Sequence, residues 1–109
     1  IHVVPIPKEV VAKVGSPAYV PTVIPANTYT GQTADVPTAA IPNFLVTQSK
    51  VPDELVYQMV KAMYGNLDTL YAAHNAAKNI KLENALTGMP IPLHPGAERY
   101  YREVGLIKK

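Results

Sequence analysis

A chain of 109 residues with a formal net charge of +2 and no cysteine is about one domain's worth of polypeptide, long enough to bury roughly 60 to 70% of the surface its unfolded form exposes. Ten Lys and Arg stand against eight Asp and Glu, dispersed along the chain with no basic cluster beyond Lys108 and Lys109, which argues against a nucleic-acid partner. No apolar run reaches the roughly 18 residues of a membrane span and no charged lead followed by an apolar stretch opens the sequence, while the lack of cysteine removes disulfide and thiolate chemistry and leaves the compartment open.

Taken in order, the first half predicts short elements. Ile1–Ile6, "IHVVPI", reads as a strand that starts without a polar lead-in, as expected of a piece of something longer. Pro7 opens a brief amphipathic helix through Val14, with Gly15 as its stop. Tyr19–Ile24 and Val36–Thr47 are rich in Val, Ile, Thr and Phe, but Pro21, Pro37 and Pro42 cannot donate to a ladder, so these read as edge or irregular strands. Between them "PANTYTGQTAD" is turn chemistry, with Asn27 and Gly31 suited to positive φ.

The second half reads as helical. Pro52 at a first helical position, with Asp53 and Glu54 facing the positive end of the helix dipole, begins a helix to about Ala73. Its apolar residues Val56, Tyr57, Val60, Met63, Tyr64, Leu67, Leu70 and Tyr71 recur at three and four, a broad buried stripe, and Gly65 and Asn66 predict a kink or break within it. A short helix is expected over Leu82–Thr87 up to Gly88, then an extended "MPIPLHPG", then a last helix from Pro95 to about Val104.

Candidate chemistry is sparse. His74 ends the long helix, His94 occupies the N-cap position before Pro95, and His2 has no partner at a useful spacing; each is more readily structural than catalytic. There is no HxxxH, no GxSxG, no glycine-rich phosphate loop and no positioned carboxylate pair. No catalytic residue, metal ligand or cofactor is therefore expected, and the chain does not read as an enzyme. "AERYYRE" carries Arg99, Arg102 and Glu103 at pairing distances along a helix beside Tyr100 and Tyr101, the pattern of a charged surface face rather than an anion site. Tyr57, Tyr64 and Tyr71 recur every seven residues, which is helix-face spacing.

One stretch needs its own explanation: Val23–Ser49 contains a single charged residue, Asp35, among threonine, proline and tyrosine. Strands covered on both faces lose charge because burying it unpaired is costly. A cleft wall offering neutral hydrogen-bonding groups to a solute has the same composition, and burial is the simpler reading.

"IPANTYTGQTADVPTAAIPNFLVT", "VPDELVYQMVKAMYGNLDTL" and "AAHNAAKNIKLENALTGMPIPLHPGAERYYRE" closely resemble, in order, the end of the TAXI-type solute-binding receptors of tripartite ATP-independent periplasmic (TRAP) transporters. "LHPGAERYYRE" and "TYTGQ…DVPT" carry most of the specificity; Asn27 and Thr30 stand where the family commonly has glycine and proline, and the second change should loosen the turn. The resemblance implies an α/β chain: the C-terminal fragment of a type II periplasmic-binding-protein-like fold, short strands followed by several helices. Residues 1–49 would be a strand-rich inter-lobe segment and residues 50–109 a helical one. It implies a periplasmic receptor that binds a small organic anion, such as a dicarboxylate or an acidic amino acid, and delivers it to the transporter's membrane subunits. The alternative is a regulatory or structural module that keeps the fold without transport. On this view Asn27, Thr28, Tyr29, Gln32 and Thr38 lie at the solute cleft, because they are polar, uncharged and mounted on a loop between strands. "HPGAERYYRE" would be structural. Parted from a longer parent, such a piece would expose a strand edge and a helix face and would tend to self-associate.

Overall fold

The computed structural model describes residues 2–108. They form two compact units, residues 2–44 with 87–90, and residues 45–86 with 91–108.

The first unit is built on a hairpin. Strand β1 (Val20–Ile24) pairs antiparallel with β2 (Val36–Ala40), with Val20 opposite Ala40, Thr22 opposite Thr38 and Ile24 opposite Val36. Both internal prolines are tolerated for one geometric reason. The Pro37 carbonyl points away from β1 and accepts the Ile6 N–H at 2.8 Å. A strand residue sends its N–H and C=O to the same side, so the missing donors of Pro37 and of Pro21, opposite Ala39, fall where the ladder has no bond to lose. Helix α1 (Lys8–Ala12) packs on both strands through Val11, which is 3% exposed. Residues 87–90 are tied to the same hairpin at Gly88, whose φ is +71°; a Cβ there would lie 2.9 Å from Val20 Cγ2 and 3.0 Å from the Pro17 carbonyl oxygen.

Three expectations along residues 2–48 are corrected. Residues 2–6 form no strand, because Pro5 and Pro7 remove alternate donors and leave only the Ile6 bond; Ile1 lies outside the described residues. Strand β2 stops at Ala40 instead of reaching Thr47: Pro42 cannot donate, and residues 41–48 run without ladder partners, leaving Leu45 and Val46 exposed. Helix α1 is also shorter than expected, ending at Ala12 with a turn to Gly15.

The second unit is helical: α2 (Asp53–Gly65), α3 (Leu67–Ala73), short 3₁₀ turns at Asn75–Asn79 and Leu82–Asn84, and α4 (Pro95–Glu103). The expected break falls at Asn66, whose φ of −129° ends α2 and whose side chain donates to the Ala62 carbonyl at 2.7 Å. The helix expected over Leu82–Thr87 is a single 3₁₀ turn followed by a bend into Gly88, and the 3₁₀ turn at Asn75–Asn79 has no counterpart in the periodic pattern.

The core of this unit lies between α2 and α4: Val56, Tyr57, Ala97, Tyr100 and Tyr101, with Val60, Tyr64 and Leu93 packed against them. Gly96 brings the helices together. A Cβ at that position would overlap the Asp53 carbonyl oxygen and lie 2.8 Å from the Tyr57 nitrogen and 3.0 Å from Val56 Cβ. The aromatic rings interlock, Tyr64 stacking on Tyr100 at 5.7 Å and meeting Tyr101 edge-on at 6.1 Å. Burial among these rings, and then a hydrogen bond with Tyr101, push the Tyr64 phenol well above its ordinary value. Of the broad stripe expected on the long helix, Val56 is buried, whereas Val60, Met63 and Leu67 are half-buried, because nine-residue α4 covers only part of the stripe.

Candidate functional site

His94 and His74 cap helical segments, and the charged groups of "HPGAERYYRE" make contacts within the helical unit. His94 caps α4: its Nδ1 accepts the Gly96 N–H at 3.2 Å, which leaves Nε2 to donate to the Val51 carbonyl at 3.1 Å. The tautomer follows from those two partners. His74 caps the following 3₁₀ turn in the same way, accepting the Ala76 N–H at 3.1 Å. Across α2 and α4, Tyr57 donates its hydroxyl to Glu103, and Lys61 donates to both Tyr57 Oη at 2.8 Å and Glu103 at 3.1 Å. The Tyr57 hydroxyl first, and Lys61 second, hold the Glu103 carboxyl below its usual range. Gln58 and then Arg99 do the same for Glu54, and the Arg99 guanidinium also lies 3.8 Å from the centre of the Tyr57 ring. Lys61 with Glu103 and Glu54 with Arg99 are thus paired between the two helices and link α2 to α4. Among the described residues no group of three or more His, Cys, Asp or Glu is arranged to hold a metal ion.

The five residues named from the sequence lie on the β1–β2 hairpin, four of them in its turn. Chain reversal requires left-handed backbone at Asn27, with φ of 64°, and at Gly31, with φ of 85°. Asp35 closes the base by accepting the Ala26 N–H at 2.8 Å, and the Asn27 N–H reaches the Gln32 carbonyl at 2.8 Å. Thr28 donates its hydroxyl to the Pro25 carbonyl at 2.7 Å, which spends its proton inside the turn and leaves the oxygen able to accept. Tyr29 is 44% exposed, and no hydrogen bond from its hydroxyl is recorded among the described residues. Gln32 is 9% exposed, the single buried polar residue among those described. Asn27 and Tyr29 therefore face solvent, Thr28 is half committed, and Gln32 points inward.

Thr38 is placed differently. It lies on β2 opposite Thr22, two ladder steps from the turn, and lines an open concavity of about 380 Å³ with Ile6, Lys8, Pro21 and Thr22. None of the four turn residues borders that concavity. Sequence reasoning missed Thr22 and Lys8 as neighbours of Thr38. Val-Pro-Thr occurs both at Val20–Thr22 and at Val36–Thr38, but the observed antiparallel register overlaps the two copies only at their threonines, so the repeat alone does not place Thr22 beside Thr38.

A family model described as the NMT1-like family matches residues 1–105, nearly the whole chain. The chain belongs to the NMT1-like family. This is a periplasmic solute-binding-like family, and the hairpin with its following helices is compatible with a fragment of such a fold. Membership of the NMT1-like family gives the chain a general function in binding a small ligand, in a family that is typically extracytoplasmic. No helix among the described residues is long and apolar enough to cross a membrane.

Proposed function

We propose that this NMT1-like chain is part of a TAXI-type receptor of a TRAP transporter, with a type II periplasmic-binding-protein-like fold. It acts in the periplasm, binds a small organic anion such as a dicarboxylate or an acidic amino acid, and delivers it to the transporter's membrane subunits. The observation that carries the reading is the β1–β2 turn: uncharged hydrogen-bonding side chains stand on a frame closed by the turn's own hydrogen bonds, with Asn27 and Tyr29 facing outward. Such rigidly mounted neutral groups orient a solute without demanding an ion pair. The charge of an anion is met by basic groups outside the turn, since no Lys or Arg lies between Lys13 and Lys50. Lys8, beside Thr38 and Thr22 in the neighbouring concavity, is one such group in the same unit. We read the role as binding rather than catalysis: both ring nitrogens of His94 are engaged, one on the α4 cap and one on the Val51 carbonyl, and Nδ1 of His74 caps a 3₁₀ turn.

Calorimetric titration with L-glutamate and with succinate tests this reading. Replacing Tyr29→Phe together with Thr38→Val removes two hydroxyls and should weaken binding by roughly 1 to 3 kcal/mol. Affinity equal to wild type, with the circular dichroism spectrum unchanged, would take this hairpin out of the site.

A further inference from the structure

A buried amide inside an exposed turn needs a reason. Gln32 is the one polar residue described as buried, yet it lies in the turn between Ile24 and Val36 where its neighbours Gly31 and Thr33 are exposed. Its Nε2 donates to the carbonyls of Ile24 at 3.2 Å, Pro25 at 3.0 Å and Ala34 at 3.0 Å, so two protons are shared among three acceptors. Its Oε1 accepts the Tyr29 N–H at 3.3 Å. The main chain of the same residue accepts the Asn27 N–H and donates to the Tyr29 carbonyl at 3.0 Å. The orientation of the amide is unambiguous, because a flip would set an oxygen against three carbonyls.

We infer that Gln32 is the positioning residue of the turn and not a solute contact. It acts through Asn27 and Tyr29, the two residues its own hydrogen bonds hold in place, and these are the groups that meet the solute. This rests on the reading of the turn as a binding surface. The physical ground is that a glutamine with both ends of its amide satisfied inside the protein has no donor left to offer without breaking the turn. A left-handed non-glycine residue such as Asn27 also persists only where its surroundings hold it, and here the Gln32 carbonyl does so. The turn thereby presents a carboxamide and a phenol, which suits the uncharged part of a solute rather than its charged end.

The test compares Gln32→Met, Gln32→Glu and Tyr29→Phe in the full chain. Two readouts are taken: amide hydrogen exchange at Asn27 and Tyr29, and calorimetric binding of L-glutamate and of succinate. Gln32→Met keeps the length and loses the amide, so both amides should exchange roughly tenfold faster and Kd should rise by a similar factor. Tyr29→Phe should raise Kd with exchange unaltered. At pH 8 the Gln32→Glu carboxylate faces three carbonyl oxygens and should behave like the Met variant. At pH 4.5 its protonated form regains a donor, and both readouts should return towards wild type measured at that pH, a rescue that general loosening of the fold would not give. The inference is overturned if Gln32→Met exchanges at the wild-type rate, or if Gln32→Glu is equally impaired at both pH values. If neither probe binds wild type, the choice of solute above is wrong, and the exchange and its pH dependence still decide whether Gln32 positions the turn.

Discussion

Gly96→Ala puts the α2–α4 packing under direct load. The added methyl would overlap the Asp53 carbonyl oxygen, approach the Tyr57 nitrogen to 2.8 Å and touch Val56 Cβ at 3.0 Å. Two of these three neighbours are backbone and cannot turn aside, so the helices must separate by a few tenths of an ångström to about one. That separation loosens the contacts of Val56, Tyr57, Ala97, Tyr100 and Tyr101, all buried. Overpacking of this kind costs about 1 to 3 kcal/mol, and the better helix propensity of alanine returns at most about 1 kcal/mol. A backbone clash belongs at the upper end of the first range, which leaves a net loss of about 2 kcal/mol. With unfolding entropy near 2.1 cal/mol/K per residue, 109 residues lose about 9 °C in Tm. Urea denaturation gives the free energy and near-ultraviolet circular dichroism reports the packing of the tyrosines. A variant as stable as wild type, with its tyrosine signal intact, would refute close approach at Gly96 as the basis of this core.

His94→Ala removes both the α4 cap and the bond to the Val51 carbonyl, and should cost about 1 to 3 kcal/mol in urea denaturation; His94→Asn, able to cap but too short to reach Val51, should recover about half. Acid should weaken the second unit in a defined window. Glu103 and Glu54 have folded values below those of the free side chain, so their contribution is present above the unfolded value near 4.3 and is lost as pH falls through the lower folded values. Stability measured from pH 6 down to pH 3 should therefore drop less steeply in Glu103→Gln than in wild type. Gly88→Ala, which adds a Cβ 2.9 Å from Val20 Cγ2 in left-handed backbone, should lower the melting temperature of the first unit.

Local chemistry was legible in the sequence wherever one residue decides the outcome. Asn27 and Gly31 take the positive φ expected of them, α2 breaks at Asn66, and His94 caps α4. Extents were less legible. The composition of residues 41–47 is that of a strand, but a strand exists only if a neighbour accepts its hydrogen bonds, and pairing partners are not written in a segment's own residues. The same holds for Met63 and Leu67, whose periodicity marks a face without saying whether α4 is long enough to cover it. At the candidate site the polar, uncharged residues of the turn could be picked out, but not their division of labour. Nothing in "NTYTGQT" distinguishes the glutamine that folds back onto carbonyls from the tyrosine that faces out, because that depends on the path of the turn in three dimensions. The repeated Val-Pro-Thr does not locate Thr22 beside Thr38 either: copy-on-copy antiparallel alignment would set Val20 opposite Thr38, and the observed pair depends on a two-residue stagger of the strands.

The central claim is that the β1–β2 turn meets the solute. Recording amide chemical shifts of the isotopically labelled protein while titrating L-glutamate, and separately succinate, tests it most directly. Saturable shifts are expected, concentrated at Asn27, Thr28 and Tyr29, with smaller changes around Thr38. Saturable binding that leaves Asn27–Gln32 unmoved would contradict it.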